Sequence, residues 1–284
     1  LTIRELFLNY LLISALILME VRNINSRKID AQEFGSQVSS ALLRALRRIH
    51  TAYGLTVFAL LFLLFLPLLT IPIAFRTRYA LIGVVNRWWA KSMFFLVGLP
   101  FRVEYHFKPA AHRQYIFCPN HFSYLDIPTV GLNRHNTIFV GKSEMSRIPL
   151  FGLMYRKLHI TVDRSKLKSR YTTMVRSREA IDEGKSLTIF PEGGIATREP
   201  PQLAPFKDGA FRLAIEKQIP IVPVTIPGNW IILPDNEFLL HWGRVVVIFH
   251  EPVDTRGLRL EDVGELKKKV SETIRNELSK YDRK

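Results

Sequence analysis

A single cysteine, Cys118, stands in a chain of 284 residues. No internal disulfide framework and no cysteine-based zinc site can be built from it, and the scarcity fits a reducing compartment. Acidic residues are also in short supply, since 25 Asp and Glu against 40 Lys and Arg leave a formal charge of +15. That excess points to an anionic partner, whether nucleic acid, an anionic lipid surface or a phosphorylated substrate, and does not choose among them. The chain has no His-Glu-x-x-His helix, no Gly-x-Ser-x-Gly elbow and no Gly-x-Gly-x-x-Gly turn, so three common routes to hydrolysis and cofactor binding lack a basis. Gly141-Lys142-Ser143 and Gly184-Lys185-Ser186 look like the end of a phosphate loop, but Asn136 and Glu179 occupy the place of its first glycine. There is no internal repeat, no low-complexity linker and no nucleic-acid motif with interleaved aromatics.

What the chain does have is apolar substance, at 48% hydrophobic residues, enough for a large core and too much for whole-chain disorder. It is unevenly spread. Leu55 to Phe75 runs 21 residues without a charge, which reads as a membrane segment. Arg44, Arg47 and Arg48 precede it and Arg76 and Arg78 follow it, so flanking charge sets no direction. Pro67 and Pro72 are expected to break or kink it, leaving Leu55 to Leu66 as a run of about 18 Å against the ~30 Å of hydrocarbon. A re-entrant or in-plane helix and a true span both stay open. Phe34 to Ile49 has apolar residues at helical spacing beside a basic face, and Tyr79 to Leu99 sets Trp88, Trp89, Phe94 and Phe95 beside Arg87 and Lys91. Both suit a membrane surface, and the alternative is helices packed on a globular domain. Leu6 to Met19 is a shorter apolar run of 14 residues with no Ala-x-Ala site after it, a poor signal peptide.

Residues 1–102 are therefore expected to form a membrane-associated helical region and residues 103–284 an α/β domain. In the second region short apolar runs alternate with helical stretches. Strands are expected at Val103–Phe107, Tyr115–Cys118, Thr137–Val140, Ile160–Val162, Leu187–Phe190, Ile221–Ile226 and Val245–Phe249. Helices are expected near Tyr124–Leu132, Pro149–Lys157, Leu167–Glu183, Asp208–Lys217 and Glu261–Tyr281. The mixed-charge tail from Arg256 reads as a solvated helix more than a binding arm.

The chemistry gathers at strand ends. Asn120-His121-Phe122-Ser123-Tyr124-Leu125-Asp126 follows the strand Tyr115–Cys118, where ligands sit in open α/β sheets. An imidazole titrating near neutrality can take a proton from a hydroxyl, and a carboxylate on its other nitrogen fixes the tautomer. Asp126 has the spacing for that carboxylate, although with eight histidines a chance His-x4-Asp arises about 0.4 times. Alone, the pair reads more readily as a helix-capping aspartate and a packing histidine. A second strand end adds weight: Leu187–Phe190 runs into Pro191-Glu192-Gly193-Gly194, then Arg198, then Lys207 before a helix, a plausible anion cradle. Arg164 also follows a strand, in Val162-Asp163-Arg164.

Together these residues resemble the glycerolipid acyltransferases, specifically the 1-acylglycerol-3-phosphate acyltransferases. The resemblance runs from about Tyr115 to Trp230 in four ordered blocks: Asn120-His121-x4-Asp126; Lys142-x-Glu144 with Pro149, Gly152 and Asp163-Arg164; Phe190-Pro191-Glu192-Gly193; and Ile219-Pro220-Ile221-Val222-Pro223-Val224. The third block departs from the family, which continues Thr-Arg-Ser where this chain has Gly194-Ile195-Ala196; Arg198 or Lys207 is the candidate replacement for the missing arginine. The resemblance implies a single α/β acyltransferase domain with a mainly parallel or mixed sheet flanked by helices. It implies His121 as general base on the sn-2 hydroxyl of lysophosphatidic acid, Asp126 orienting it, and acyl-CoA or acyl-carrier protein as co-substrate, without metal or cofactor. Lys142, Arg164, Glu192, Gly193, Arg198 and Lys207 would then hold the acceptor. The product would be phosphatidic acid, for phospholipid synthesis, made at a membrane with the catalytic domain facing the cytoplasm. Other lysophospholipid or glycerol-3-phosphate acceptors remain alternatives, as do a Cys118 thiol nucleophile and a non-catalytic membrane-tethered anion-binding module; nucleic acid is not expected as a partner.

Overall fold

The computed structural model describes residues 31–75, 79–142, 150–163, 166–197 and 199–281, with backbone alone for 31–38 and 142. Outside the described residues lie Leu6–Met19, Arg76, Arg78, Glu144 and Pro149. So do Arg164, Arg198 and the side chain of Lys142 among the candidate binding residues. The chain divides after Thr56 into two compact units. Helix α1 (Ala31–Ala74) runs through that division, and Ser39–Ala74 is long and apolar enough to cross a membrane.

Helix α1 passes Pro67 and Pro72 without a break, contrary to the expectation from sequence. Each proline lacks the N–H that would bond the carbonyl four residues before it, and the Thr70 hydroxyl adds a bond to the Pro67 carbonyl at 2.6 Å. Packing holds the helix: Val57 and Leu61 are buried in one core and Leu69 in another, while Leu60, Leu63, Leu64 and Leu68 remain exposed. Helix α2 (Ala80–Val97) is divided in the same way. Ile82, Val85, Ala90, Met93, Phe94 and Val97 are buried, whereas Trp88 and Phe95 are exposed, Trp88 with Lys91 Nζ 5.5 Å from its ring centre. Packed helix and exposed aromatic face, the two readings open from sequence, are both present. Gly98 ends α2 at φ +76°, which lets the Gly98 and Leu99 N–H groups reach the Phe95 and Phe94 carbonyls.

The remaining described elements are β1 (Phe101–Tyr105), β2 (Ile116–Pro119), α3 (Asp126–Gly131), β3 (Thr137–Lys142), α4 (Phe151–Leu158), β4 (Ile160–Val162), α5 (Leu167–Asp182), β5 (Ser186–Ile189), α6 (Gly209–Lys217), β6 (Ile221–Thr225), α7 (Asn229–Ile232), β7 (Val245–Phe249) and α8 (Val263–Leu278). The seven strands form one sheet in the order β1-β7-β6-β2-β5-β3-β4. Every pairing is parallel except β6 with β7, so the sheet is mixed. Side chains alternate across it: Ile116 and Cys118 enter one core and Tyr115 and Phe117 the other, the period-2 rule of a strand covered on both faces. Helix α8 buries Val263, Leu266, Val270, Ile274 and Leu278 at spacings of one turn and, Glu277 apart, turns its charges outward, so the mixed-charge tail is a packed amphipathic helix.

Candidate active site

Strands β2 and β5 are parallel neighbours with Phe117 opposite Thr188, so both leave the sheet at the same edge. His121 lies just beyond β2 and Glu192 just beyond β5. Strand β6 flanks β2 on its other side, with Pro119 opposite Val224. Asn120 bridges that pair: its Nδ2 donates to the Ile226 carbonyl at 3.0 Å and its Oδ1 accepts from the Ile226 N–H at 2.7 Å. Three strand ends, far apart in sequence, are thereby held around one histidine.

The His121 Nδ1 lies 3.0 Å from Asp126 Oδ2. That oxygen also accepts the N–H groups of Phe122 at 2.8 Å and Ser123 at 2.9 Å, and Asp126 Oδ1 accepts from Asn229 Nδ2 at 3.0 Å. Asp126 is wholly buried, and its charge is met entirely by donors. A carboxylate can only accept, so the proton between the two residues sits on Nδ1 and the neutral ring presents Nε2 as the base. The ring stacks on Phe190 with centroids 4.1 Å apart and planes 26° apart, which fixes its orientation. Dyad, correct tautomer and locked plane are the requirements for general-base work on a hydroxyl.

Glu192 sits close by but in a different role from a ligand contact. Its Oε1 accepts the His121 N–H at 2.7 Å and its Oε2 the Ala204 N–H at 2.9 Å, and it is only 1% exposed. The carboxylate ties the histidine loop to the loop leading into α6. Burial pushes it up to about 7, against the pull of the two backbone N–H groups and with a further push from the charge of Asp126. Gly193 follows at φ +85°, and Lys207 crosses it so closely that an added Cβ would lie 2.6 Å from the lysine Cε. The Lys207 N–H donates to the Pro191 carbonyl at 2.8 Å, leaving its ammonium exposed beside the turn. Glu192, Gly193 and Lys207 are thus brought together with His121 and Asp126. Cys118 is wholly buried in β2 and its thiol is pushed far up by burial, so it is not a nucleophile. Among the described residues no group of His, Cys, Asp and Glu has the makings of a metal site.

Asn229 and Phe190 take part in the site without having been singled out as site residues. Phe190 belongs to the third sequence block. Asn229 carries one usable signal, its place just beyond the end of β6, the same criterion that marks His121.

A mixed sheet with a His-Asp dyad at a strand end, beside a turn crossed by an exposed lysine, has the groups that acyl transfer to a hydroxyl requires. The family described as Acyltransferase matches residues 102–227. The chain is 30% identical over 211 residues to the 1-acyl-sn-glycerol-3-phosphate acyltransferase of Haemophilus influenzae, covering 71% of this chain and 83% of that one. It belongs to the 1-acyl-sn-glycerol-3-phosphate acyltransferase family. It is also 31% identical over 147 residues to the chloroplastic enzyme BAT2 of Brassica napus, covering 51% of this chain and 42% of that one. For the Saccharomyces cerevisiae enzyme the match is 29% over 167 residues, covering 58% of this chain and 55% of the relative. This chain therefore spans about half the length of those two relatives. The crystal structure of the LPA acyltransferase PlsC from Thermotoga maritima shares the fold at a TM-score of 0.68 and 22% identity, over 84% of this chain and 98% of that one.

Proposed function

We propose that the protein is a membrane-associated O-acyltransferase that moves a fatty acyl group from a thioester, acyl-CoA or acyl-carrier protein, to the sn-2 hydroxyl of 1-acylglycerol-3-phosphate, giving phosphatidic acid. The observation that carries this reading is the 3.0 Å contact between His121 Nδ1 and an Asp126 saturated with donors. His121 Nε2 removes the proton as the hydroxyl oxygen attacks the thioester carbonyl. The tetrahedral intermediate expels the thiolate, which takes the proton back from the imidazolium, so no net proton is gained or lost. Asp126 stabilises the imidazolium through that interval. Acyl transfer of this kind needs no electron carrier.

The acceptor phosphate is assigned to Lys207, which crosses the Gly193 turn, and, on the sequence resemblance alone, to Lys142, Arg164 and Arg198. Glu192 serves the same site by holding the backbone of His121. The exposed leucines of α1 and the exposed Trp88 and Phe95 of α2 support contact with a bilayer, from which lipid acceptor and product need not cross water. A cytoplasmic face for the catalytic domain follows if its thioester donors are cytosolic.

Detergent-purified chain, given labelled acyl-CoA or acyl-carrier protein together with lysophosphatidic acid, should form labelled phosphatidic acid with at least one donor. Well-folded, lipid-bound chain inert with both donors, and with other lysophospholipids and glycerol 3-phosphate, would contradict the proposal and favour a non-catalytic anion-binding module.

A further inference from the structure

The segment that follows β6 clamps the catalytic loop at three points. Ile226 pairs with Asn120, the Leu233 carbonyl accepts from Ser123 Oγ at 2.7 Å, and Asn229 reaches Asp126. Two of these clamps hold the chain path. The third touches the charge on which the dyad depends.

Asn229 is 1% exposed and its orientation is forced. Its Nδ2 donates to Asp126 Oδ1 at 3.0 Å and to Thr129 Oγ1 at 2.9 Å. The Thr129 hydroxyl proton is already given to the Leu125 carbonyl at 2.7 Å, so Thr129 can only accept from Asn229. Turning the amide over would set oxygen against a carboxylate oxygen and against a threonine oxygen with no proton to spare. The unflipped amide leaves Asn229 Oδ1 buried without a partner. Such an orphan acceptor costs stability and asks for a compensating reason.

We infer that Asn229 is a positioning residue for the reaction: it occupies the far oxygen of Asp126 with an uncharged donor, so that the carboxylate keeps Oδ2 aimed at His121 and its full negative charge available to the imidazolium. A lysine or arginine there would donate too, but would neutralise the charge that makes His121 a base. A serine or threonine has only one proton to offer, for two acceptors. Asparagine is the smallest neutral side chain with two N–H donors on one nitrogen. The inference rests on the general-base reading of His121.

The test compares wild type, Asn229→Ala and Asn229→Asp in acyl transfer to lysophosphatidic acid, with kcat per folded molecule followed against pH and folding checked by circular dichroism. Asn229→Ala should lower kcat by about 10- to 100-fold, the usual effect of removing an orienting partner, with acceptor KM little changed. Asn229→Asp places two carboxylates side by side, so at low pH they hold one proton between them, which restores the hydrogen bond to Asp126 Oδ1 but not the one to Thr129 Oγ1. Its activity should be highest there and fall as that proton is lost, a descending limb at higher pH that wild type lacks. A purely structural role would lower the melting temperature of both variants and leave the pH limbs in place. A kcat within twofold of wild type for folded Asn229→Ala, or a profile for Asn229→Asp parallel to wild type, would overturn the inference. Should the alanine variant not fold, the aspartate profile alone decides. Absence of transfer by wild type itself would instead count against the general-base reading.

Discussion

At Glu192, two backbone N–H groups favour the carboxylate while burial and the charge of Asp126 favour the neutral acid; burial prevails and the group titrates near 7 rather than 4.5. The folded chain therefore keeps a proton that the unfolded chain releases across that interval. The stabilisation linked to this proton is fully present below pH 4.5 and is lost as pH rises through about 7. Guanidinium unfolding across this range should show wild type losing on the order of 3 kcal/mol relative to Glu192→Gln, whose one misplaced N–H contact is a constant offset. Parallel curves for the two proteins would contradict the assignment. Gly193→Ala should cost about 1–2 kcal/mol from its left-handed backbone and displace Lys207, read as a lower melting temperature together with a raised acceptor KM. At this scale the sequence was legible where chemistry follows residue type and strand-end position: His121, Asp126 and Glu192 all lie at the site. The role of Glu192 was not legible, because a carboxylate beside glycines says nothing about which backbone N–H groups will reach it. Asn229 was hidden for a related reason, since its partner lies 103 residues away in sequence and only the sheet register joins them.

Between elements, the decisive join is that of β2 with β6. Asn120 is wholly buried and uses both ends of its amide on Ile226, so Asn120→Ala leaves a buried N–H and a buried C=O unpaired. At roughly 1–3 kcal/mol for each, the loss should be about 2–6 kcal/mol in chemical unfolding. An unchanged midpoint would show that water replaces the side chain. The strands were readable because apolar runs bounded by turn residues leave little choice: Ile160–Val162 and Val245–Phe249 are as expected, and the others differ at their ends. Helix α7 was not, since four residues carry no periodicity. The prolines of α1 misled for a physical reason: local propensity forbids them in a helix interior, but the packing of Val57, Leu61 and Leu69 holds the helix through them.

For the whole molecule, the division after Thr56 assigns the second half of α1 to the catalytic unit. A chain beginning at Val57 should melt with the midpoint of the intact chain. Deletion through Ala74 should lower it sharply, since burying Val57, Leu61 and Leu69 contributes about 1.5–3 kcal/mol for each side chain. Equal melting of the two truncated chains would show that α1 only covers the unit without stabilising it. The central claim concerns His121, and the most direct measurement is the turnover of labelled acyl thioester and lysophosphatidic acid by intact chain and by His121→Ala, each shown folded. The account predicts a loss of at least ~100-fold in kcat, with folding and lipid association retained. Turnover by folded His121→Ala within a few-fold of the intact chain would contradict it.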